Sequence, residues 1–292
     1  MTSIIKVQNI QYTDGDAALT IADGGGVTLP SALSAKGGAV FNEDSADVDF
    51  RVESNSNTHM LFVDGGNDTV GIGISNPASY CQHADELVVG GTDGNRGITI
   101  VGGDDDYSIV DFNRASNTSD TPNGAIEYNH SANEMYIKAN ALSALQLNSN
   151  GSVNKPYHPC FRASGLGGAW STGINDVVHF ANDGNGFNFD QGNNYNTSSN
   201  GFFAPVAGKY QFYAQALIQN GTNQKRIKLR KNGTDFAVSN EYGYNNSSEI
   251  TVVVTGIVNM AANDKVDVHL NTQGGNYYNN HPYTFFQGFL IG

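Results

Sequence analysis

Apolar residues in this chain fall in short runs cut off by Gly, Asn, Asp and Ser. Ile4-Ile5-Lys6-Val7, Leu19-Thr20-Ile21 and Val27-Thr28-Leu29-Pro30 are separated by the turn-forming stretches Tyr12 to Asp16 and Asp23 to Gly26, which predicts strands and turns in succession over the first thirty residues. The pattern runs on to about residue 150. Leu61-Phe62-Val63-Asp64-Gly65-Gly66 with Val70-Gly71-Ile72-Gly73-Ile74 is echoed 26 residues later by Leu87-Val88-Val89-Gly90-Gly91 with Gly97-Ile98-Thr99-Ile100-Val101, an imperfect strand-turn-strand repeat. Ile109 to Phe112, Ala125 to Tyr128, Met135 to Lys138 and Leu145 to Leu147 continue it at a spacing of roughly ten residues. Within Ala139 to Leu147 the Leu142/Leu145 spacing also fits a helix, but Leu145-x-Leu147 alternation and the flanking Asn and Gly favour a strand. Such brief strands bury too little apolar surface to offset chain entropy, so partners stacked along the chain or supplied by other chains are expected.

From Lys155 the strands lengthen and become aromatic: Val177 to Ala181, Gly201 to Ala204, Lys209 to Ile218, Gln224 to Lys231, Ile250 to Met260, Lys265 to Asn271 and Tyr283 to Ile291. Seven or eight strands fit a jelly-roll sandwich. Lys209 to Leu217 alternates, with Tyr210, Phe212, Ala214 and Ala216 on one face, as a half-buried strand should. Val252-Val253-Val254 and Phe285-Phe286 do not alternate, which predicts cover on both faces, as beside a threefold axis.

Composition fits an all-β reading. With 35 Gly and 36 Asn against 7 Pro, and only 15% charged residues, the chain disfavours helices, while 39% hydrophobic residues is too many for disorder. Residues 1 to 154 hold 6 Lys and Arg against 20 Asp and Glu, a net of −14, and residues 155 to 292 hold 9 against 8, a net of +1. A boundary near Lys155-Pro156 follows. The acidic half repels phosphate backbones and anionic lipid, so neither nucleic acid nor membrane is an expected partner. No secretory signal or 18-residue apolar run appears. Cys81 and Cys160 lie in different halves without framework spacing and read as free thiols.

No Walker loop, GxSxG elbow or HExxH motif appears, and a non-enzymatic protein is expected. His83 beside Asp85 reads as a solvated turn more readily than as an acid-base pair. Asp104-Asp105-Asp106, and Asp183 with Asp190, offer hard oxygens that would suit a structural calcium ion, with solvated turns as the alternative; no EF-hand spacing occurs and no other cofactor is indicated. The basic run Lys225, Arg226, Lys228, Arg230 and Lys231 reads as a solvated strand edge that blocks aggregation, or as a face for an anionic surface polymer. Two loops combine rigid Tyr plates with Asn amides, as adaptable binding loops do: Glu241 to Asn246, with Tyr242, Tyr244, Asn245 and Asn246, and Asn276 to Tyr283, with Tyr277, Tyr278, Asn279, Asn280, His281 and Tyr283. Packing of these tyrosines in a core or a subunit seam is the competing reading.

Residues 155 to 292 resemble the jelly-roll domain shared by the globular head of the first complement component (subunit q) and tumour necrosis factor. The resemblance rests on Asp190-x4-Tyr195-x6-Phe202-x5-Gly208-x-Tyr210-x-Phe212, Asn263-Asp264-Lys265-Val266-Asp267-Val268 and Phe286-Gln287-Gly288-Phe289-Leu290; Gly184 and Ala214 stand where the pattern has aromatics. It implies a compact homotrimer, with Tyr195, Phe202, Tyr210, Phe212, Phe286 and Phe289 in its core or seam. The opening Ile5-Lys6-Val7-x2-Ile10-Gln11 through Gly26-Val27-Thr28-x-Pro30, the shaft unit Phe62-Val63-Asp64 to Ser75-Asn76-Pro77, and the entry Pro156-x2-Pro159-Cys160-Phe161-Arg162-Ala163-Ser164 resemble tailed-bacteriophage fibre proteins in that order. This implies an attachment segment over 1–30 and an elongated trimeric β-rich shaft over 31–154, followed by a C-terminal jelly-roll head over 155–292. It also implies a virion location, baseplate or tail proteins at one end, and a host-surface glycan or outer-membrane component as receptor, with a decoration protein clamped by its head as the alternative.

Overall fold

The computed structural model describes residues 9–11, 17–21, 27–28, 41, 47–91, 93–118, 121–171, 173–181, 187–219, 224–242 and 249–292. It separates into two compact units, residues 1–99 and 100–292. The boundary expected at 154/155 falls inside the second unit, between two of its strands. Ile4 to Val7 and the first two turn clusters lie outside the described residues.

The first unit holds two small sheets. Strands β1 (Asn9–Gln11), β2 (Ala17–Ile21) and β3 (Val27–Thr28) form an antiparallel three-stranded sheet. Strands β4 (Phe50–Val52), β5 (Leu61–Asp64), β6 (Thr69–Ile72) and β7 (Leu87–Val89) form a second sheet, in that order, with a 3₁₀ turn at Pro77–Ser79 between β6 and β7. The β5–β6 hairpin closes where Asp64 Oδ1 accepts the Gly66 and Asn67 N–H groups at 3.2 and 3.1 Å. Its sequence echo does not fold alike. Leu87–Val89 adds to β6 in parallel, and Ile98 to Val101 forms no strand and stays exposed. The echoed Gly90-Gly91 lacks the Asp that closes the first hairpin, so the similarity lies in apolar spacing and not in turn chemistry.

The second unit opens with a five-stranded antiparallel meander: β8 (Tyr107–Phe112), β9 (Gly124–Asn129), β10 (Glu134–Ala139), β11 (Leu142–Leu147) and β12 (Val153–Asn154). The ambiguous 139–147 stretch is strand, because Asn140 and Ala141 take positive φ values of 52° and 61° that form a turn a helix cannot contain.

The remaining strands build a two-sheet sandwich. They are β13 (Cys160–Ser171), β14 (Asn175–Val177), β15 (Phe189–Gln191), β16 (Tyr195–Asn196), β17 (Gly201–Phe203), β18 (Gly208–Gln219), β19 (Gln224–Lys231), β20 (Thr234–Tyr242), β21 (Glu249–Met260), β22 (Lys265–Asn271) and β23 (Asn276–Leu290). One sheet runs β15-β13-β23-β18-β21; the other runs β16-β17-β22-β19-β20, with β14 also on β22. Between them Phe161 stacks on Phe202 at 4.8 Å and meets Phe286 edge-on at 4.9 Å, while Phe212 stacks on Phe286 at 5.7 Å. Each such pair adds about 0.5–1.5 kcal/mol beyond area burial. Tyr195, Phe202, Tyr210, Phe212 and Phe286 all belong to this core. Phe289 does not: it is 46% exposed on the outer face of its sheet. Ala214 is fully buried, and Phe180, four residues from the absent aromatic of Gly184, packs 6.0 Å from Phe286. Gly184 itself lies outside the described residues.

Three expectations need correction. Val252-Val253-Val254 does alternate, with Val253 exposed between two buried neighbours. The Asn276 to Tyr283 stretch is strand and not loop, since β23 pairs there with β18 and β13. The basic run is no sheet edge. Asn232 and Gly233, at φ 49° and 83°, make a hairpin that adds β20 outside β19, so β19 is flanked on both sides. Its cations are matched there: Lys228 to Asp235 at 2.5 Å, Arg230 to Asp267 at 2.8 Å and Lys231 to Asp264 at 3.0 Å, while Arg226 donates to Asn240. Paired in this way, they present little net charge to an anionic polymer.

Two features of the signature acquire physical reasons. Asp190 accepts the N–H groups of Asn194 and Tyr195, both at 2.9 Å, which fixes the turn carrying Tyr195 into the core. Gly288 lies beside Phe212, and an added methyl there would run into the ring. Gly288→Ala is expected to cost about 1–3 kcal/mol, as overpacking does, seen as a lower denaturation midpoint. Asp264 accepts from Asn232 Nδ2 at 2.7 Å and from the Ala261 N–H at 2.8 Å, and together with Lys231 these contacts hold its carboxyl down to about 2. A folded value below the unfolded one of about 3.9 gives stability that is complete above that pH and lost as pH falls through the folded value. Thermal midpoints between about pH 4.5 and 2 should therefore fall more steeply in the native chain than in Asp264→Asn; equal slopes would refute this role.

Candidate functional site

The sandwich presents two features that its core does not use. The first is an excursion of β23. Phe285 pairs with Gln215 and Tyr277 with Ile218, so two residues of β18 face seven of β23, and the surplus bulges out of the ladder. Thr284 pinches the base, its hydroxyl donating to the Tyr278 carbonyl at 2.6 Å and accepting the Leu217 N–H at 3.3 Å. Gln215 Nε2 holds the far side through the carbonyls of Pro282 and Tyr283, at 3.3 and 3.2 Å, and its Oε1 accepts from the Tyr213 hydroxyl at 2.9 Å.

On this frame Tyr278 and Tyr283 meet edge to face, centroids 5.3 Å apart, and with Leu217 and Glu249 they line a hollow of about 240 Å³. Tyr283 is exposed, and His281 stacks on Phe187 at 3.9 Å. Asn279 Oδ1 and His281 Nδ1 are enclosed yet find no hydrogen-bond partner among the described residues. An aromatic corner with a carboxylate and an amide at its rim offers a flat apolar plate for C–H faces beside acceptors and donors for hydroxyls.

Of the ten tyrosine, asparagine and histidine candidates, the structure brings Tyr278, Asn279, Asn280, His281 and Tyr283 together on this excursion. Tyr277 turns inward and joins the core, where burial raises its phenol pKa. Tyr242 is the last residue of β20, and Tyr244, Asn245 and Asn246 lie outside the described residues. Glu249, Gln215, Leu217 and Thr284 were missed by sequence reasoning. No motif marks them, because strand pairing alone brings the ends of β18 and β21 beside β23.

The second feature is the outer face of the β15-β13-β23-β18-β21 sheet. Phe189, Phe289, Ile257 and Val253 stand exposed on it, and cross-strand register places Gln211, Gln215, Gln287 and Thr255 among them. Arg162, 4.0 Å over the Phe285 ring, and the exposed Lys209 are the cations on the β13–β23–β18–β21 part of this face among the described residues, and Glu249 at its end is the carboxylate. A hollow of about 260 Å³ opens there above Gly288, between Cys160, Phe289 and Tyr213. Both cysteines are free, and burial together with Asp190 raises the Cys160 thiol pKa.

Among the described residues no group of three or more His, Cys, Asp or Glu side chains is placed to hold a metal ion. Asp190 is engaged with backbone N–H groups, Asp104 to Asp106 lie in an exposed turn, and Asp183 lies outside the described residues. Nor, among the described residues, is any helix long and apolar enough to cross a membrane.

Fold and exposed face together define an antiparallel β-sandwich of jelly-roll type with one wide, largely apolar flank. Residues 169–291 match the C1q domain family, which supports a C1q/tumour necrosis factor-like jelly-roll domain in this part of the chain. The chain matches no curated protein.

If Thr284 anchors the excursion, Thr284→Val should lower stability by about 1–3 kcal/mol, the cost of leaving buried backbone groups unpaired. It should also broaden the Tyr278 and Tyr283 ring resonances. Unchanged stability and sharp resonances would show that the frame stands without it.

Proposed function

We propose that this chain is a non-enzymatic homotrimeric bacteriophage tail fibre protein. In this reading residues 1–30 serve attachment to baseplate or tail proteins, 31–154 form a slender shaft, and the head over 155–292 binds a host cell-surface glycan or outer-membrane component. The observation that carries it is the apolar outer sheet face. Phe189, Phe289, Ile257 and Val253 are exposed on a sandwich whose core is already complete, and a face with so few charges can meet its own copies about an axis. C1q domains typically assemble as trimers, which supports the same conclusion. The fibre assignment draws on the ordered resemblance of opening, shaft unit and head entry.

Adhesion falls to the excursion. Three copies of the Tyr278–Tyr283 corner on one axis, repeated over several fibres, convert weak contacts into firm attachment through effective concentration. Tyr rings suit the apolar faces of sugar rings, and the Glu249 carboxylate suits their hydroxyls.

The same apolar face favours a second reading, a virion decoration or baseplate protein whose head only clamps the trimer. The two diverge when Tyr278→Ala/Tyr283→Ala is made in the full chain. Under the adhesion reading this variant stays trimeric, while its ability to compete with virions for host cells falls at least tenfold. Under the clamp reading neither protein competes. Phe289→Arg/Ile257→Asp should convert the native protein toward single chains in sedimentation at micromolar concentration. A native protein that already sediments as one chain would overturn both readings.

A further inference from the structure

The meander β8–β12 lies outside the matched domain and carries its residues the wrong way round for a chain standing alone. Directly opposed residues in antiparallel strands share a face. Register therefore puts Val110, Ile126, Ile137 and Leu145 in one row, Phe112, Gly124, Ala139 and Leu142 in the next, and Ser108, Tyr128, Met135, Leu147 and Val153 in a third. This face is apolar almost throughout; its polar groups gather at one end, where His130 reaches Ser108 Oγ at 2.9 Å and meets the Tyr128 ring edge-on at 5.1 Å. Val110, Phe112, Ile126, Met135, Ile137 and Leu142 are nevertheless between 38% and 57% exposed.

The opposite face is polar and better covered. Ala125 and Glu127 are buried there, Lys138 pairs with Glu127 at 2.5 Å, and Glu134 accepts from Gln146 at 2.9 Å and from the Tyr136 hydroxyl, whose pKa it pushes up to about 12. A sheet that shelters its carboxylates and leaves its isoleucines wet inverts the hydrophobic pattern.

We infer that this apolar face is an interface between copies of the chain, three meanders closing face inward around a common axis. The inference rests on the trimer reading above and locates a seam outside the head. Two considerations select a second and third copy over a foreign partner. The first is charge. Residues 1 to 154 carry a net of −14, so copies repel through most of their surface, and a face without charge is where identical chains can be apposed without facing like charges.

The second is area. Five strands spaced about 4.8 Å with six residues at about 3.3 Å make a face of roughly 24 by 20 Å, on the order of 480 Å². That is near the largest apolar patch a typical monomer tolerates. Three such faces bury on the order of 1,400 Å² together, about 480 Å² for each pair of copies, a seam that adds to the one in the head. Inward side chains from sheets about 10 Å apart would fill the axis without a cavity.

The test uses the full chain with Cys81 and Cys160 replaced by Ser. Ile137→Cys places a thiol on the apolar face, and Ser131→Cys places one in the exposed β9–β10 turn as a reference. Sedimentation gives the assembly mass, and a water-soluble maleimide reports access. The expected result is a three-chain mass with Ile137→Cys reacting at least tenfold slower than Ser131→Cys. Ile126→Asp should raise the dissociation midpoint at least tenfold, while Ser143→Asp on the polar face leaves it in place. A three-chain mass with equal thiol reactivity, or with Ile126→Asp neutral, overturns the seam and leaves the trimer standing. A single-chain mass overturns both, whatever the thiol reactivity.

Discussion

Strand side chains alternate, so each sheet has two faces, and a chain must find cover for whichever face carries its apolar residues. In the sandwich most of that demand is met internally. The two sheets close on Phe161, Phe202, Phe212 and Phe286, and the outer face of one sheet retains a lesser apolar surface. In the meander it is not met internally, because five short strands form a single layer whose apolar rows face outward. Both surfaces pose the same physical problem at different strengths, and the assembly of identical copies proposed above would answer both.

Within the head, close packing rather than chemistry dictates much of the signature. Gly288 is small because Phe212 occupies the space a side chain would need, and Asp190 is acidic because two backbone N–H groups converge on it. The basic strand β19 follows similar logic. Its cations alternate with Ile227 and Leu229, and the carboxylates that neutralise them come from β20, β22 and the turn before β22. This pairing also affects His269, whose imidazole is held below its usual pKa by burial and by Arg230 and Lys228 nearby.

How much of this was legible in the sequence follows from the range of each interaction. Alternation in Lys209 to Ile218 depends only on neighbours, and it gave β18 and its buried face directly. The Asn232-Gly233 hairpin was equally local; its signal lay in plain view, and reading it would have removed the edge assignment of the basic run. The Leu61 and Leu87 echo misled because apolar spacing was matched and turn residues were not. The excursion of β23 was half legible. Its Tyr and Asn content marked it as a place of interest, but which residues face in or out depends on a five-residue mismatch against β18 that neither strand reveals alone. For the same reason Glu249 and Gln215 had no signal.

The mismatch between β18 and β23 has one more implication. Pairing with β18 resumes on either side of residues 278–284, while β13 pairs with Tyr278 and Asn280 and Thr284 ties the ends together beneath them. Side chains from Asn279 to Tyr283 therefore contribute little to strand registration, whereas Tyr277 and Phe286 contribute a great deal. Substitutions on this short ribbon leave the paired strands on either side in place, so its surface chemistry can vary while the sandwich keeps its register.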